Sequence, residues 1–423
     1  MKTLVIGTGG REHALALSLS RDETVTEVHV APGNPGIGAF ATLHDVDPMD
    51  SDAVAALVAD LAVDLVVVGP EAPLVNGIAD VIAERTGVAV FGPGRAAAQL
   101  EGSKAFSKEV MAAAGVPTAG SRTCTTTAEY EAALDEFGAP HVVKDDALAA
   151  GKGVVVTLDR AEALAHAEAC GRVVIEEFLD GPEVSLFAIC DGAAAYPLQP
   201  AQDFKRIFDG GKGPNTGGMG SYSPLPWADP GLAAQVIEEV VNPTLAEMGE
   251  RGAPYVGCLY VGLALTKTGP RVIEFNCRFG DPDIQPVLAL LDSGLGGLLH
   301  AAATGTLEKV EPPRFRDGAS VTVVLASAGY PESSTKGDLI TGVGAANGVN
   351  DVDVIHAGTA LGPDGLVTAG GRVLAVRAVG YDVADARARA YSAADLISFD
   401  RMQRRSDIAA EPLGVMEGAS LLD

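Results

Sequence analysis

Three polar side chains stand two residues apart in VIEFNCRFGDPD (272–283): Glu274, Asn276 and Arg278. Side chains alternate along a strand, which puts these three with Val272 on one face and Ile273, Phe275, Cys277 and Phe279 on a core-facing side. A carboxylate and an amide side by side offer two hard oxygens. A divalent cation such as Mg²⁺ takes such oxygens together with substrate phosphates. The guanidinium next in line can neutralise phosphoryl charge. Metal-assisted phosphoryl chemistry is one reading; a buried, salt-bridged strand end is the other.

The glycine-rich loops carry complementary groups. In HVVKDDALAAGKGVVV, Lys144 ends a strand and Lys152 lies between two glycines. The loop is not a P-loop, because Asp146 replaces its first glycine and Gly153 stands where Ser or Thr should follow the lysine. IEEFLDGPEVS sets Glu176, Glu177 and Glu183 around a turn. They read either as exposed acids or as a hinge that presents backbone groups to a base and an acid to ribose hydroxyls. QDFKRIFDGGKGPNTGGMGSYSPLP (202–226) is 25 residues with little apolar periodicity, mixing glycines with Asp203, Lys205, Arg206, Lys212 and Asn215. Long irregular segments of that kind are usually functional or disordered. GTGGREHA (7–14) fails the dinucleotide fingerprint: Glu12 occupies the third glycine position, and the second strand runs into APGNPG without a ribose-binding acid. What remains is a tight turn, a helix start and Arg11, enough for one phosphate or for a solvated arginine.

These residues need elements to hold them. KTLVIG, EVHVA, DLVVVGP and VAVFGP read as strands alternating with the helices REHALALSLSR, SDAVAALVADLA and VNGIADVIAERTG. Such alternation implies a parallel sheet wrapped by helices, with functional loops at the strand carboxyl ends. From Ser103 the pattern changes. SKAFSKEVMAAAG is a helix closed by Gly115; RVVIEEFLDGPEVSLFAICDG is a strand, a turn and a second strand; PYVGCLYVGLALTKTGPRVIEFN is a hairpin. Near Ala326 a last segment begins, in which GRVLAVRAVGYDVADARARAYSAADLIS is a strand and a long helix.

Composition narrows the class. The 423 residues are 47% hydrophobic and 20% charged, with net charge −26. That acidity argues against nucleic acid or an anionic membrane as partner. Only ten lysines are present, so those in glycine loops stand out. Five cysteines without a C-x-x-C pair fit a reducing compartment. MKTLVIGTGGREH lacks the apolar stretch of a signal peptide, and no uncharged run approaches the ~20 residues of a membrane span. The expectation is a cytoplasmic enzyme with no obligate protein partner.

In order, GGREHA, GPEAPL, AAGKGV, EEFLDGPEVS, GPNTGGMG, EFNCRFGDPD, GGRVLAV and the late RRSDIA resemble the phosphoribosylamine–glycine ligase family, ATP-grasp enzymes of purine biosynthesis, over essentially the whole chain. The resemblance implies a multidomain α/β and α+β fold. A doubly wound N-terminal domain (1–102) binds phosphoribosylamine. An ATP-grasp region (103–325), with a lid subdomain at about 120–187, clamps the nucleotide. A small β-rich domain (326–423) follows. It implies ligation of glycine to 5-phosphoribosylamine with ATP, through glycyl phosphate, with Mg²⁺ or Mn²⁺. Glu274 and Asn276 match the metal ligands. Lys144, Lys152, Glu176, Glu177, Leu179 and Glu183 match nucleotide contacts. Arg278, Lys144, Lys205 and Asn215 match groups acting on the reacting phosphoryl and acyl centres. Gly9, Gly10, Arg11, Glu12, Pro70, Glu71, Asp203, Gly217, Gly218, Met219 and Asp281 match the substrate side.

The chain departs from the family pattern at Asp145, Ala147, Phe204 and Gly211. Phe204 stands where many members carry histidine, so a histidine there is not essential for catalysis. No Ser/His or Cys/His nucleophile is evident. Catalysis by positioning and charge neutralisation, under a closing lid, is therefore expected.

Overall fold

The computed structural model describes residues 1–148 and 153–410. Its first sheet is parallel, in the order Thr42–Leu43, Glu27–Pro32, Lys2–Gly7, Leu65–Val68, Ala89–Phe91. The central strands are continuous apolar runs because both faces are covered. On one face Ala14, Leu15 and Leu19 of the helix Gly10–Ser20 meet Val5 and Val30. On the other, Val54, Val58, Ile78 and Ile82 meet Leu4, Ile6, Val66 and Val68. The helix Leu295–Ala303, from far downstream, completes the first face with Leu295, Leu298 and Leu299. The N-terminal domain therefore does not bury its own sheet unaided.

A four-stranded antiparallel sheet follows: Ser121–Cys124, Val173–Glu176, His141–Asp145, Val154–Thr157. Two helices, Thr127–Phe137 and Arg160–Cys170, cover it. Each begins on a side-chain cap, Thr126 for the first and Asp159 for the second, which satisfies amides left unpaired in a first turn. The lid sheet ends at Glu176. Glu183–Asp191 belongs to a different sheet, with Ala195–Pro197, Val256–Thr266 and Gly269–Asn276. IEEFLDGPEVS is thus a crossing whose two flanking strands belong to different sheets, and the lid sheet ends before the expected residue 187.

The last sheet runs Gln202–Asp203, Gly220–Ser223, Ala319–Ala326, Arg372–Gly380, Val352–His356. A boundary at 326 would sever its central strand, since Ala319–Ala326 is buried throughout. The seam lies ahead of Ala319, and the edge strand Gln202–Asp203 and its neighbour Gly220–Ser223 come from the glycine-rich segment. One apolar cluster joins this sheet, the helix Val383–Ala394 and the hairpin strands Val256–Thr266 and Gly269–Asn276. Among the described residues no helix is long and apolar enough to cross a membrane.

Candidate active site

The hairpin strand Gly269–Asn276 carries a bulge. Gly262 pairs with Glu274 and Leu263 with Val272, leaving Ile273 as an extra residue. A bulge moves residues beyond it to the opposite face. Strict alternation from Val272 is therefore corrected: Val272, fully buried, joins Phe275 and Cys277 in the core. Ile273, Glu274, Asn276 and Arg278 face a cleft of about 410 Å³, a size suited to small molecules.

Asn276 Nδ2 donates to Glu274 Oε1 at 3.5 Å, and Asn276 Oδ1 accepts from Arg278 Nη2 at 3.3 Å. Burial alone would raise the Glu274 carboxyl, but Lys144, Lys205 and Lys104 hold it below the ordinary range. It is ionised at neutral pH, as a metal-ligating carboxylate must be. An ionised carboxylate beside an amide oxygen is a donor set that fits a hard cation completed by phosphate and water.

Lys144 lies buried at the lid edge. Its Nζ contacts Glu176 Oε1 at 2.9 Å and the Ile273 carbonyl at 2.9 Å, tying lid to body. Lys108, on the helix Lys104–Ala113, takes the other Glu176 oxygen at 2.9 Å. Glu177 bonds the Gly120 amide (2.9 Å) and Arg271 Nη1 (2.7 Å), so it secures both chain crossings of the hinge. Leu179 and Glu183 line the cleft beyond it, and Glu183 pairs with Lys205. Burial lowers the Lys205 ammonium, but Glu183, Tyr260, Glu274 and Asp203 more than offset it and raise it. Lys152 lies outside the described residues. Ala147 offers its carbonyl to Lys104 at 3.1 Å, and Asp145 closes the lid strand through the Gly153 carbonyl. Asp146 bonds Ser103 Oγ and the Ala105 amide, anchoring the lid to the start of the helix Lys104–Ala113.

The opposite wall is built from the N-terminal domain. Arg11 Nε contacts Glu12 Oε1 at 2.6 Å, and Arg11 Nη1 reaches the Phe279 carbonyl at 3.1 Å. Glu12 Oε2 accepts the Gly9 amide at 2.6 Å. A carboxylate of the chain thus already occupies the helix start at which a phosphate was expected. Pro70 precedes the helix Glu71–Val75, and Glu71 points at Arg278 Nε (3.4 Å). Arg278 Nη2 meets Glu101 Oε1 at 3.0 Å. The arginine expected to face phosphoryl charge is therefore shared between two carboxylates. Burial raises the Glu101 carboxyl despite Arg278, whereas Arg278 and Arg11 together hold Glu71 low despite its own burial.

The glycine-rich segment closes the cleft. Asp203, Asn215, Gly217 and Asp281 line it, as does Gly211, whose φ of +67° suits glycine. Gly218 adopts φ +106° with Asp203 pressed against it. Met219 does not reach the cleft; its side chain is wholly buried with Ile207, Val324 and Ile355. Phe204 is also core, under the Arg405 guanidinium at 5.0 Å and beside Tyr222. The aromatic side chain at that position is structural.

Polar residues that escaped the sequence reading include Tyr260, Asp283 and Arg372 in the cleft and Lys104, Lys108 and Glu101 in the pocket adjoining it. Lys104 and Lys108 had a signal, since SKAFSKEV places them one helical turn apart on one face. Arg372 had only its place in the GGRVLAV motif, because it arrives from a strand of the last sheet.

Family models cover the chain in three parts: Phosphoribosylglycinamide synthetase N domain over 1–101, ATP-grasp (A) domain over 102–284, and C domain over 320–411. A phosphoribosylamine–glycine ligase of Streptomyces coelicolor is 61% identical over 98% of this chain and all of its own. The chain belongs to the phosphoribosylamine–glycine ligase family. A member from Mycobacterium tuberculosis is 52% identical over 96% of this chain and 97% of its own. The crystal structure of the ligase from Thermotoga maritima superposes with TM-score 0.84 at 33% identity, covering 96% of this chain and all of that one. A biotin carboxylase domain from Hydrogenobacter thermophilus, 16% identical at TM-score 0.69, covers 95% of this chain and 91% of that one and shares the fold. The model for the family's C domain starts at 320, one residue into the central strand of the last sheet.

Proposed function

We propose that this chain joins glycine to 5-phosphoribosylamine with ATP, releasing ADP and phosphate, in purine biosynthesis. One observation carries the reading. The Glu274–Asn276 pair sits in a single cleft between a lysine-rich wall, read as the nucleotide side, and a wall drawn from the N- and C-terminal domains, read as the acceptor side. ATP and a phosphorylated sugar are anionic and do not cross membranes, so the same reading places the enzyme in the cytoplasm.

A carboxylate is a poor electrophile. A glycine carboxylate oxygen attacks the γ-phosphorus, ADP departs, and glycyl phosphate forms. The amine of phosphoribosylamine then attacks the carbonyl, phosphate leaves, and the proton lost by nitrogen passes to phosphate or water. Lys144, Lys104 and Lys205 surround the transferring charge, and Glu176, Glu177 and Leu179 seat the nucleotide. Arg11, Glu71 and Asp281 receive the acceptor, while Arg278 braces Asn276. A divalent cation, Mg²⁺ or Mn²⁺, held by the Glu274 and Asn276 oxygens, would neutralise phosphate charge. Positioning and electrostatics do the rest.

Glycine labelled with ¹⁸O in both carboxylate oxygens tests the sequence of steps. Phosphate carrying one heavy oxygen is expected. Unlabelled phosphate, with one label kept in the amide and the other lost to water, would overturn the acyl-phosphate route. ADP release that is indifferent to both glycine and phosphoribosylamine would overturn the reaction itself.

A further inference from the structure

The peptide at Gly217 is held from both sides by the C-terminal domain. Its amide donates to Tyr330 Oη at 3.0 Å, and its carbonyl accepts from Arg372 Nη1. The same Arg372 nitrogen reaches the Gly218 carbonyl at 3.5 Å and donates to the Asp281 carbonyl, while Nη2 pairs with Asp281 Oδ2 at 3.0 Å. The other Asp281 oxygen accepts from Gln285 Nε2 at 2.8 Å. It also lies against the first helix of the N-terminal domain: a Cβ built on Gly10 would stand 3.0 Å from it. One guanidinium thus joins the glycine-rich loop to the Asp281 loop, and Asp281 abuts the N-terminal domain. Glycines make the room. A Cβ at Gly217 would stand 2.9 Å from Arg372 Cζ, and one at Gly371 would stand 2.4 Å from the Tyr330 ring.

We propose that Arg372 and Tyr330 are positioning residues for the acceptor half of the cleft, setting the Gly217–Gly218 peptide and Asp281 to receive the phosphorylated sugar amine. The inference rests on the function proposed above and adds residues of the C-terminal domain to it. Among the described residues, the guanidinium's hydrogen bonds go to Gly217, Gly218 and Asp281, and none goes to the nucleotide wall of Lys144, Glu176, Glu177 and Glu274. Its effect should therefore divide the substrates. A planar fork is needed to serve two loops at once, and a lysine ammonium presents only a point charge.

The test is steady-state kinetics on the full chain, with the amine generated continuously because an anomeric amine hydrolyses. Wild type, Arg372→Lys, Arg372→Gln and Tyr330→Phe are compared, each with a thermal melt. Arg372→Gln should raise KM for the sugar amine about tenfold or more while KM for ATP stays within about twofold, as loss of a charge-assisted contact predicts. Arg372→Lys should recover part of that loss. Tyr330→Phe, which removes one acceptor, should raise the same KM about threefold. An unmoved KM for the sugar amine, or an equal rise for ATP, would overturn the inference. If Arg372→Gln fails to fold, Tyr330→Phe and Arg372→Lys decide by the same criteria. A wild-type enzyme inactive with glycine and the sugar amine would sink the proposed function, and this inference with it. An active wild type with unmoved variants would sink only the inference.

Discussion

The lid and the acceptor wall are built by opposite strategies. The lid has its own small core of Tyr130, Leu134, Val143, Ala163, Val173 and Ile175, distinct from the body's clusters. It meets the body through two chain crossings, the ion pairs at Lys108 and Arg271, the Lys144 hydrogen bond to the Ile273 carbonyl, and the Asp146 anchor. Several of its own ion pairs are exposed, such as Arg160–Asp135 and Arg122–Glu136. At the acceptor wall, Arg278 is shared by Glu71 and Glu101, and Arg372 by Asp281 and the glycine loop. A separate core joined to the body at a few points can pivot as a unit, whereas charges shared between loops of different domains lock geometry. On the proposed reading, the small acceptor is seated rigidly and the nucleotide is admitted under a part that can move.

The sharpest test of this contrast lies between the two walls. Glu274→Gln keeps the shape and removes the charge. It should lower kcat by about a thousandfold or more, because a bound cation contributes several kcal/mol of transition-state stabilisation. The urea midpoint should stay near that of the wild type. Near-normal turnover at ordinary Mg²⁺ would remove Glu274 from the chemistry.

Next comes the asymmetry itself. Arg278→Gln leaves the Glu101 carboxyl without its cation and takes one of two from the half-buried Glu71, and should cost about 3 kcal/mol of stability. Arg160→Gln in the lid breaks an exposed pair and should change stability by less than about 1 kcal/mol. Denaturant titrations of the two variants measure this directly, and equal losses would erase the distinction between the regions.

How far this architecture was readable depends on the kind of signal. Strand–helix alternation in the first hundred residues has the period of a sheet covered on both faces, and it folded that way. Glycine loops holding Lys144, Asp203 and Asp281 marked the cleft, because irregular backbone rich in charge has little other use. Other features were out of reach of local pattern. The bulge at Ile273 is a pairing irregularity, visible only when the partner strand is in place. Glu101 and Arg372 enter the site by tertiary approach. Met219 sits among the substrate-loop glycines, yet the strand Gly220–Ser223 begins beside it and its side chain falls into the core.

A pH titration probes the rigid side from another direction. His13 of the first helix accepts the His356 amide of the last sheet at 3.0 Å, joining the N- and C-terminal domains. Asp353, Arg377 and Arg21 surround the pair, and Arg377 and Arg21 both contact Asp353. Burial pushes His13 down to about 3, with His356 and Arg377 adding to it, and pushes His356 down to about 4. Unfolded, both take up protons near 6.5, so between pH 6.5 and 4 the unfolded state binds more protons. Stability is complete above that window. It should fall as pH drops through it, by up to about 1.4 kcal/mol per pH unit for each histidine. His13→Asn should flatten the slope. An unchanged slope of urea midpoint against pH would show that the domain junction does not titrate.

The smallest effect is expected at the hinge. Arg271 donates to Glu177 from Nη1 and to the Thr118 carbonyl from Nη2, bridging the crossing that enters the lid and the one that leaves it. Its guanidinium is partly exposed, so the pair contributes about 1 kcal/mol or less. Arg271→Gln should leave the global melting temperature nearly unchanged. It should loosen the angle at which Glu176, Glu177 and Leu179 meet the nucleotide, raising KM for ATP about threefold to fivefold with KM for the sugar amine unmoved. That pattern is the reverse of the one expected for Arg372. Kinetics of the two variants side by side would show whether each wall serves its own substrate. A rise for both substrates in both variants would mean that the cleft responds as one body, and the contrast between a movable lid and a fixed acceptor wall would fail.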